Sequence, residues 1–101
     1  MKLKDILNET FKKIPQHTEP TTDTELLRSA IIAEMDAISL YEYMARKTKN
    51  RNVKKVLLDI AKEEKTHVHE FEELLEMLDR EYKKEEEKAD QELEDMGIET
   101  D

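Results

Sequence analysis

Apolar residues recur at helical spacing in three stretches of the chain, separated by polar breaks. Residues 3–14 place five apolar side chains on one helical face, which predicts a short amphipathic helix. Two longer stretches follow, the first from Asp23 to about Lys49 and the second from Val53 to about Tyr82. Neither contains proline or glycine, so nothing in them would break a helix. The pattern therefore predicts an all-α chain.

Short polar segments separate the predicted helices. Residues 15–22, PQHTEPTT, hold both prolines and indicate a linker. Thr22 and Glu25 then match a capping box, in which the threonine side chain caps a helix that carries glutamate three residues later. The segment KNRN, residues 49–52, is the polar break between the two long helices, each of which would be about 40 Å long. A connection this short predicts an antiparallel helical hairpin.

The composition indicates that one hairpin is not a complete domain. Of the 101 residues, 37% are hydrophobic and 43% are charged. A soluble domain usually has about 45–50% apolar and about 25% charged residues, so this chain has little material for a core. A hairpin alone also buries a single seam. We therefore expect two hairpins to pair into a four-helix bundle, with the second half supplied by another copy.

The net charge of −9 is concentrated at one end of the chain. Residues 85–101 hold nine acidic residues and one basic residue, so we interpret 83–101 as an acidic extension that continues as a fraying helix and then becomes disordered. The linker and N-terminal helix form a separate segment, 1–21, and the hairpin spans 22–82. No basic stripe is evident in the sequence, so nucleic acid is not an expected partner. No apolar run is long enough for a membrane span. The absence of cysteine excludes cysteine-based metal sites and suits the cytoplasm.

Three polar residues interrupt the apolar stripes where those stripes should be strictest. Glu34 lies in the stripe of the first long helix, and Glu64 and His67 lie in that of the second, three positions apart. Counted from Asn50, the two glutamates are about 24 and 21 Å from the turn, so they lie at nearly the same level. A buried, isolated carboxylate costs several kcal/mol in lost solvation. These groups should therefore be protonated, paired or metal-bound.

Two copies of the chain would bring together four glutamates and two histidines. That is the ligand count of a carboxylate-bridged di-iron site in a four-helix bundle, where Glu-x-x-His supplies ligands from two helices. Carboxylates are hard donors that can bridge two ions, and neutral imidazole completes the shell. The motif favours Glu64 over Glu63. The alternative is a buried polar network that fixes the register of a dimer. His69 falls off the stripe and His17 lies in the linker, so neither is an expected ligand.

The segments AIIAEMDAISLYEYMA (30–45) and IAKEEKTHVHEFEELL (60–75) resemble the encapsulated ferritins, half-length ferritin-like proteins associated with encapsulin shells. The resemblance implies a two-helix protomer that dimerises into a ferritin-like bundle, commonly within a ring-shaped decamer. The implied activity is that of a ferroxidase, which oxidises Fe(II) to Fe(III) with oxygen. The iron would be stored in a cytoplasmic encapsulin nanocompartment.

The resemblance also assigns site residues. Glu34, Glu64 and His67 match the di-iron ligands of the family, with Glu64 as the bridging carboxylate. Tyr41 matches a tyrosine close to that site, and Asp36 matches an acid of a secondary metal site. Iron is the implied metal, and calcium or another divalent ion is expected to substitute for it or to bridge subunits.

Two departures from the family concern the secondary site. Ala33 stands where some members have another acid, and Leu40 where some have a tryptophan. Two other functions fit the same sequence. One is a non-catalytic helical dimerisation or adaptor module, and the other is a rubrerythrin-like di-iron protein that reduces peroxide.

Overall fold

The computed structural model describes residues 22–99, together with Lys2, Asp5, Asn8 and Glu9. This part of the chain contains no strand and has three long helices, α1 (Asp23–Lys47), α2 (Arg51–Leu78) and α3 (Arg80–Asp95). The apolar residues of the predicted N-terminal helix and the linker up to residue 21 lie outside the described residues. The predicted all-α architecture is confirmed for the part that is described.

The start of α1 follows the predicted capping box. The backbone N–H of Glu25 donates to Oγ1 of Thr22 over 3.2 Å, so one of the unpaired N–H groups of the first turn finds an acceptor. Asp23 and Glu25 lie in the first turn, and Arg46 and Lys47 lie in the last. This distribution complements the helix dipole at both ends. Local sequence alone therefore fixes where α1 begins.

The turn between α1 and α2 consists of residues 48–50. Asn50 caps α2, because its Oδ1 accepts the backbone N–H groups of Asn52 at 2.9 Å and Val53 at 3.0 Å. Asparagine is one of the preferred residues for this role. The helix starts two residues earlier than the predicted Val53, since the side chain of Asn50 satisfies its first turn. With so short a turn, α1 and α2 pack side by side as the predicted antiparallel hairpin.

The second long helix ends earlier than the sequence pattern predicts. We expected it to continue to about Tyr82, but α2 ends at Leu78 and the backbone of Asp79 is extended, with φ −122° and ψ 96°. The Oδ1 atom of Asp79 accepts the backbone N–H of Tyr82 over 3.0 Å and caps a new helix, α3. An aspartate side chain competes with helical backbone bonds in this way, which is why it favours helix starts over helix interiors.

The acidic extension is helical as far as Asp95, which agrees with the expected continuation as helix but not with fraying. Its end is an ordered cap. The N–H of Gly97 donates to the carbonyl of Glu94, and the N–H of Ile98 donates to that of Leu93, each over 2.9 Å. This pairing is a Schellman motif, which needs positive φ at the first residue beyond the cap. Gly97, with φ 83°, adopts that conformation without strain.

The hairpin buries one seam and leaves other apolar surface open. Five seam residues, namely Leu40, Ala45, Ala61, Val68 and Leu75, are at most 8% exposed. The radius of gyration is 16.8 Å, whereas a compact domain of this length has about 13 Å. Large apolar side chains on α1 and α2 remain at least 45% exposed, namely Leu26, Met35, Val53, Val56, Leu58, Leu74, Met77 and Leu78. The described part of one copy therefore has an incomplete core, as the composition predicts.

Carboxyl groups meet across the break between α2 and α3. A side-chain hydrogen bond with Glu76 is the largest of the effects that raise the pKa of Glu86 to about 7, followed by partial burial and by the charges of Glu76, Asp90 and Glu72. Burial, and then the charge of Glu72, raises the pKa of Tyr82 in the same region. In the protonated state this hydrogen bond links α3 to α2.

We predict that α3 loosens from α2 as the pH rises. Because the folded pKa of Glu86 lies above its ordinary value of 4.5, the contact is complete below that value and is lost as the pH passes about 7. Hydrogen–deuterium exchange of the α3 backbone, corrected for intrinsic rates, should increase between pH 5.5 and 8.5 on this account. Glu86→Gln should remove this pH dependence of exchange. The control variant Glu87→Gln, which changes an exposed neighbouring residue, should retain it. Equal pH dependence in both variants would contradict the prediction.

Candidate metal centre

The hairpin places two glutamates at matching depth. Glu34 lies thirteen residues before Lys47, the last residue of α1, and Glu64 lies thirteen residues after Arg51, the first residue of α2. At 1.5 Å per residue both are about 20 Å from the turn. His67 follows Glu64 by three positions and so lies on the same side of α2. The antiparallel packing therefore brings the three predicted ligands to one level.

The three side chains converge in the structure. His67 Nδ1 is 3.5 Å from Oε2 of Glu64 and 3.8 Å from Oε2 of Glu34. One donor atom from each residue lies within 4.8 Å of the other two, and no other group of three or more histidines and acids in the described part of the chain is so close. The glutamate side chains are 24% and 19% exposed, whereas that of His67 is 48% exposed. The open side of the cluster is therefore the side of the histidine.

One oxygen of the cluster lacks a donor. Oε2 of Glu34 is buried and has no hydrogen-bond partner, and the 3.8 Å that separate it from His67 Nδ1 are too long for a hydrogen bond. A buried acceptor without a donor costs free energy, and a buried charge costs more. A cation bound among the three groups would remove that cost. Two carboxylates and one imidazole form a donor set that suits iron and other hard or borderline divalent ions.

Other predicted candidates stay outside the cluster. Glu63, the alternative to Glu64, is exposed. His69 is exposed as well, and its Nδ1 lies 3.3 Å from Oε2 of Glu72. His17 lies outside the described residues. Spacing of three rather than four positions from His67 therefore identified the converging glutamate correctly.

Tyr41 and Asp36 are the two candidates that the structure leaves without an assigned role. Tyr41 is half-buried on α1, seven residues after Glu34, which puts it two turns along the same face. Asp36 is also half-buried, but it is not a member of the converging group. Its assignment to a secondary metal site stays a prediction, as does the role of Tyr41 near the centre. Leu40, one of the family departures, is part of the buried seam.

An ion pair beside the site was missed by sequence reasoning. Lys65 Nζ donates to Oε2 of Glu42 over 3.1 Å, so it joins α2 to α1 next to Glu64. Both side chains are partly exposed, and such a pair contributes at most about 1 kcal/mol. Its value is positional, because it restricts sliding of α1 against α2. The sequence does contain opposite charges on the two helices. Because 43% of the chain is charged, however, many such pairs are possible and the sequence does not single out this one.

The fold and the cluster can be compared with known proteins. The sequence profile of the rubrerythrin family matches residues 25–99, which cover both helices of the cluster. The chain belongs to the rubrerythrin family. This rubrerythrin-family chain is also similar to the crystal structure of the encapsulated ferritin domain from Pyrococcus furiosus, with a TM-score of 0.74 and 47% sequence identity. That match covers 86% of this chain and 93% of the other chain.

A longer relative matches the same region. The ferritin-like-encapsulin shell fusion protein of Pyrococcus furiosus is 63% identical over 57 residues, which are 56% of this chain and 16% of that protein. The chain therefore spans less than a fifth of the length of that relative. Together the matches confirm the resemblance to encapsulated ferritins and the ferritin-like helical fold. Proteins of this family are typically di-iron oxidoreductases, so the match implies iron binding. None of the described helices is both long and apolar enough to cross a membrane.

We predict that Glu34, Glu64 and His67 bind divalent metal. Replacing one ligand should weaken the binding of Fe(II) under anaerobic conditions by at least about tenfold, because the remaining donors no longer enclose the ion. Calorimetric titration of Glu64→Gln against its neighbour Glu63→Gln provides a matched comparison, as does His67→Ala against His69→Ala. If Glu63→Gln weakened binding as much as Glu64→Gln, the assignment of the cluster would be wrong.

Proposed function

We propose that the protein is a ferroxidase that oxidises Fe(II) to Fe(III) with oxygen at a di-iron site shared by two copies of the chain. The observation that carries the proposal is the buried, unpartnered oxygen of Glu34 beside Glu64 and His67. Membership of the rubrerythrin family supports the choice of iron. The proposal also explains why the cluster lies on a hairpin whose core is incomplete.

The alternative of a purely structural polar network has less support. A polar network that fixes the register of a dimer would be expected to provide hydrogen-bond partners for its own buried polar atoms. In the cluster both separations from His67 Nδ1 are 3.5 Å or longer, and Oε2 of Glu34 has no donor. Donor atoms that converge without bonding to one another suit an ion between them.

The second copy supplies the other half of the site. A hairpin offers two carboxylates and one imidazole, whereas a ferritin-like di-iron centre takes four carboxylates and two imidazoles from four helices. The exposed apolar side chains Val53, Val56, Leu74 and Leu78 lie on the part of α2 that also carries His67, by helical position. Pairing of this face with the same face of a second copy would bury those side chains and complete the donor set together.

Each ligand then has a distinct task. Glu64 would bridge the two metal positions, and Glu34 and His67 would be terminal ligands. Iron supplies the electrons that reduce oxygen, and it is the substrate as well as the occupant of the site. The half-exposed imidazole of His67 leaves the cluster accessible from its own side, so ions and oxygen can reach it. Tyr41 would lie close to this centre, and Asp36 would hold metal at a secondary position.

The names of its relatives support a proposal about the compartment of the protein. The similar structure is called an encapsulated ferritin domain, and the longer relative is a fusion of a ferritin-like part with an encapsulin shell. We propose that this chain likewise works inside an encapsulin nanocompartment in the cytoplasm, where the shell stores the oxidised iron. Assembly of dimers into a ring-shaped decamer is part of the same proposal.

Peroxide reduction is the second candidate function. The match of the rubrerythrin profile favours it, because the same type of centre can take peroxide as the oxidant. The two functions share their ligands and differ in the oxidant that is consumed. Measurement of both oxidants in one set of variants therefore separates them.

We predict that the protein accelerates iron oxidation by oxygen. Aerobic addition of Fe(II), followed by the absorbance of Fe(III), should give a rate well above that of buffer for the unchanged chain and for Glu63→Ala. Glu34→Ala and His67→Ala should slow oxidation by at least about tenfold, because each removes a ligand. If these variants oxidise iron as fast as the unchanged chain does, the ferroxidase proposal fails. Faster consumption of peroxide than of oxygen would favour the second candidate.

We also predict that metal promotes dimerisation. Without metal, four carboxylates at the shared site repel one another, and cations relieve this repulsion. Sedimentation velocity should show a larger fraction of dimer or larger assemblies with Fe(II) under anaerobic conditions than with a chelator. Calcium tests whether another divalent ion can substitute. Glu34→Gln, which lowers the repulsion, should dimerise with less dependence on metal. Assembly that is the same with Fe(II) and with chelator would contradict the prediction.

A further inference from the structure

A salt bridge joins the two arms of the hairpin on the side away from the open side of the metal cluster. Lys65 Nζ donates to Oε2 of Glu42 over 3.1 Å, and Lys65 directly follows Glu64 on α2. Lys65 and His67 are two residues apart, so their side chains leave α2 on nearly opposite sides. A second copy that covers the side of His67 would therefore leave this salt bridge in contact with solvent.

A second salt bridge between the arms forms in the same register. Arg28 Nη1 lies 3.9 Å from Oδ2 of Asp79, so it joins α1 to the residue that ends α2. Fourteen residues separate Arg28 from Glu42 on α1, and fourteen separate Lys65 from Asp79. Such an interval is nearly four turns, which returns to almost the same side of a helix after about 21 Å. One alignment of the two antiparallel helices therefore satisfies both salt bridges.

The metal cluster requires the same alignment of the helices. Glu34 lies between the two bridged residues of α1, and His67 lies between the bridged residues at either end of its part of α2. A slide of α1 along α2 by one residue would move Glu34 by about 1.5 Å relative to Glu64 and His67. The same slide would change the lengths of both salt bridges. Intact salt bridges and converging ligands are therefore found in one register.

The two glutamates of the cluster oppose this alignment when no metal is bound. One oxygen of Glu34 and one of Glu64 belong to a group of donor atoms that all lie within 4.8 Å of one another. Two ionised carboxylates at such a distance repel each other, and the repulsion is stronger where water is partly excluded. A slide or separation of the arms would relieve it. The attraction between Glu42 and Lys65, next to the cluster, acts against that movement.

The stem of Lys65 lies over the seam between the two helices. It borders a groove together with Met35 and Ile38 of α1 and Val68 of α2. Lysine side chains commonly place their methylene groups on apolar surface while the ammonium group stays in water. The substitution Lys65→Met would therefore keep an unbranched apolar stem over the seam and remove only the charge.

We propose that Glu42 and Lys65 are positioning residues, which hold the three ligands of the metal centre in place before an ion binds. Neither residue is one of those ligands. Their salt bridge opposes the repulsion between the glutamates, so less of the binding free energy is spent on bringing the ligands together. The salt bridge thereby strengthens metal binding without adding a donor atom. This inference rests on the metal site of the proposed function, but not on the oxidant or on ferroxidase activity.

The direction of the effect separates positioning from a simple effect of charge. Lys65 is a cation near a cation site, so if charge alone mattered, its neutralisation should strengthen metal binding. Neutralisation of Glu42 should weaken binding on the same account. Positioning predicts instead that both changes weaken binding, because each breaks the same salt bridge. The effect of positioning should also shrink as ionic strength rises, since the pair is partly exposed and is screened by salt.

Titration of the full-length chain with Co(II), followed by calorimetry and by the visible absorption of the bound ion, tests the proposal. Lys65→Met and Glu42→Gln should each weaken Co(II) binding by about threefold at low salt, as for the loss of an exposed ion pair. The difference should nearly disappear in about 1 M sodium chloride. The two changes together should weaken binding no more than either alone, because they remove one shared interaction. The exchange of charges, Lys65→Glu with Glu42→Lys, should restore the affinity to within about twofold.

The matched control is Lys62→Met, which neutralises an exposed lysine about one turn earlier on α2 and should not weaken binding. Tighter binding of Co(II) by Lys65→Met would overturn the proposal. Unchanged affinity in both single variants, or no recovery when the charges are exchanged, would overturn it as well. Recovery by the exchanged chain would exclude a folding defect as the cause of weaker binding in the single variants.

The spectrum of bound Co(II) distinguishes a positioning residue from a ligand. At saturation Lys65→Met and Glu42→Gln should give the same absorption bands as the unchanged chain, because the donor atoms are the same. Glu64→Gln should alter the bands. If Glu64→Gln changed neither the spectrum nor the affinity, the metal centre itself would be wrong, and the positioning of its ligands with it. If only the variants of the salt bridge behaved like the unchanged chain, the positioning would be refuted and the metal centre would stand.

Hydrogen–deuterium exchange in the presence of a chelator measures the alignment before metal binds. Backbone amides around Glu34 and Glu64 should exchange several-fold faster in Lys65→Met than in the unchanged chain or in Lys62→Met. Saturating Co(II) should remove the difference, because the bound ion then holds the ligands together. Equal exchange of all three chains in chelator would contradict the proposal.

Discussion

The structure depends on the placement of two carboxylates inside a helical seam, where one oxygen of Glu34 has no protein donor. Glu34 and Glu64 are mostly buried, and one oxygen of Glu34 has no hydrogen-bond partner. Such groups oppose folding unless something compensates their charge. The imidazole of His67 is close to both but bonds to neither carboxylate at a hydrogen-bonding distance. The proposed metal binding would compensate this arrangement.

The incomplete core and the incomplete donor set have one physical origin. Two long amphipathic helices can cover each other along one seam, and each still presents apolar side chains on either side of that seam. In a four-helix bundle two further helices cover this surface. In the proposed dimer a second copy supplies these covering helices. Association then contributes apolar burial and metal ligands together, which ties stability to the chemistry of the site.

Much of the fold could be predicted from local sequence, since caps and periodicity are short-range properties. Thr22 and Glu25 marked the start of α1, and the interval between Glu64 and His67 indicated the glutamate that converges with His67 in the structure. The break at Asp79 was missed because the apolar pattern continues across it, while a single side chain decides that the helix restarts. The extent of α3 was only partly predicted. Its acidic composition suggested a helix that frays, but a capped start and a glycine-dependent end stabilise it locally.

The distribution of charge could be counted from the sequence, but its geometry could not. A count along the chain shows a nearly neutral body and an acidic end, but it does not show which charged residues of the two helices face each other. The ion pair of Lys65 with Glu42 was hidden for the same reason. Such features depend on which side of a helix a residue occupies relative to a second helix, and this requires the packing angle as well as the spacing.

The alignment of the ligands depends on the equal lengths of the two helical arms of the hairpin. Thirteen residues separate each glutamate from the helix end at the turn, so the two glutamates lie at the same distance from the turn. Deletion of one residue from either arm would move its ligand by about 1.5 Å and rotate it by about 100° away from its partner. Insertions in the turn itself, or beyond the cluster towards Asp79, would leave the alignment intact. Insertions and deletions among natural relatives should therefore occur outside the two arms, whatever the sequence of the turn.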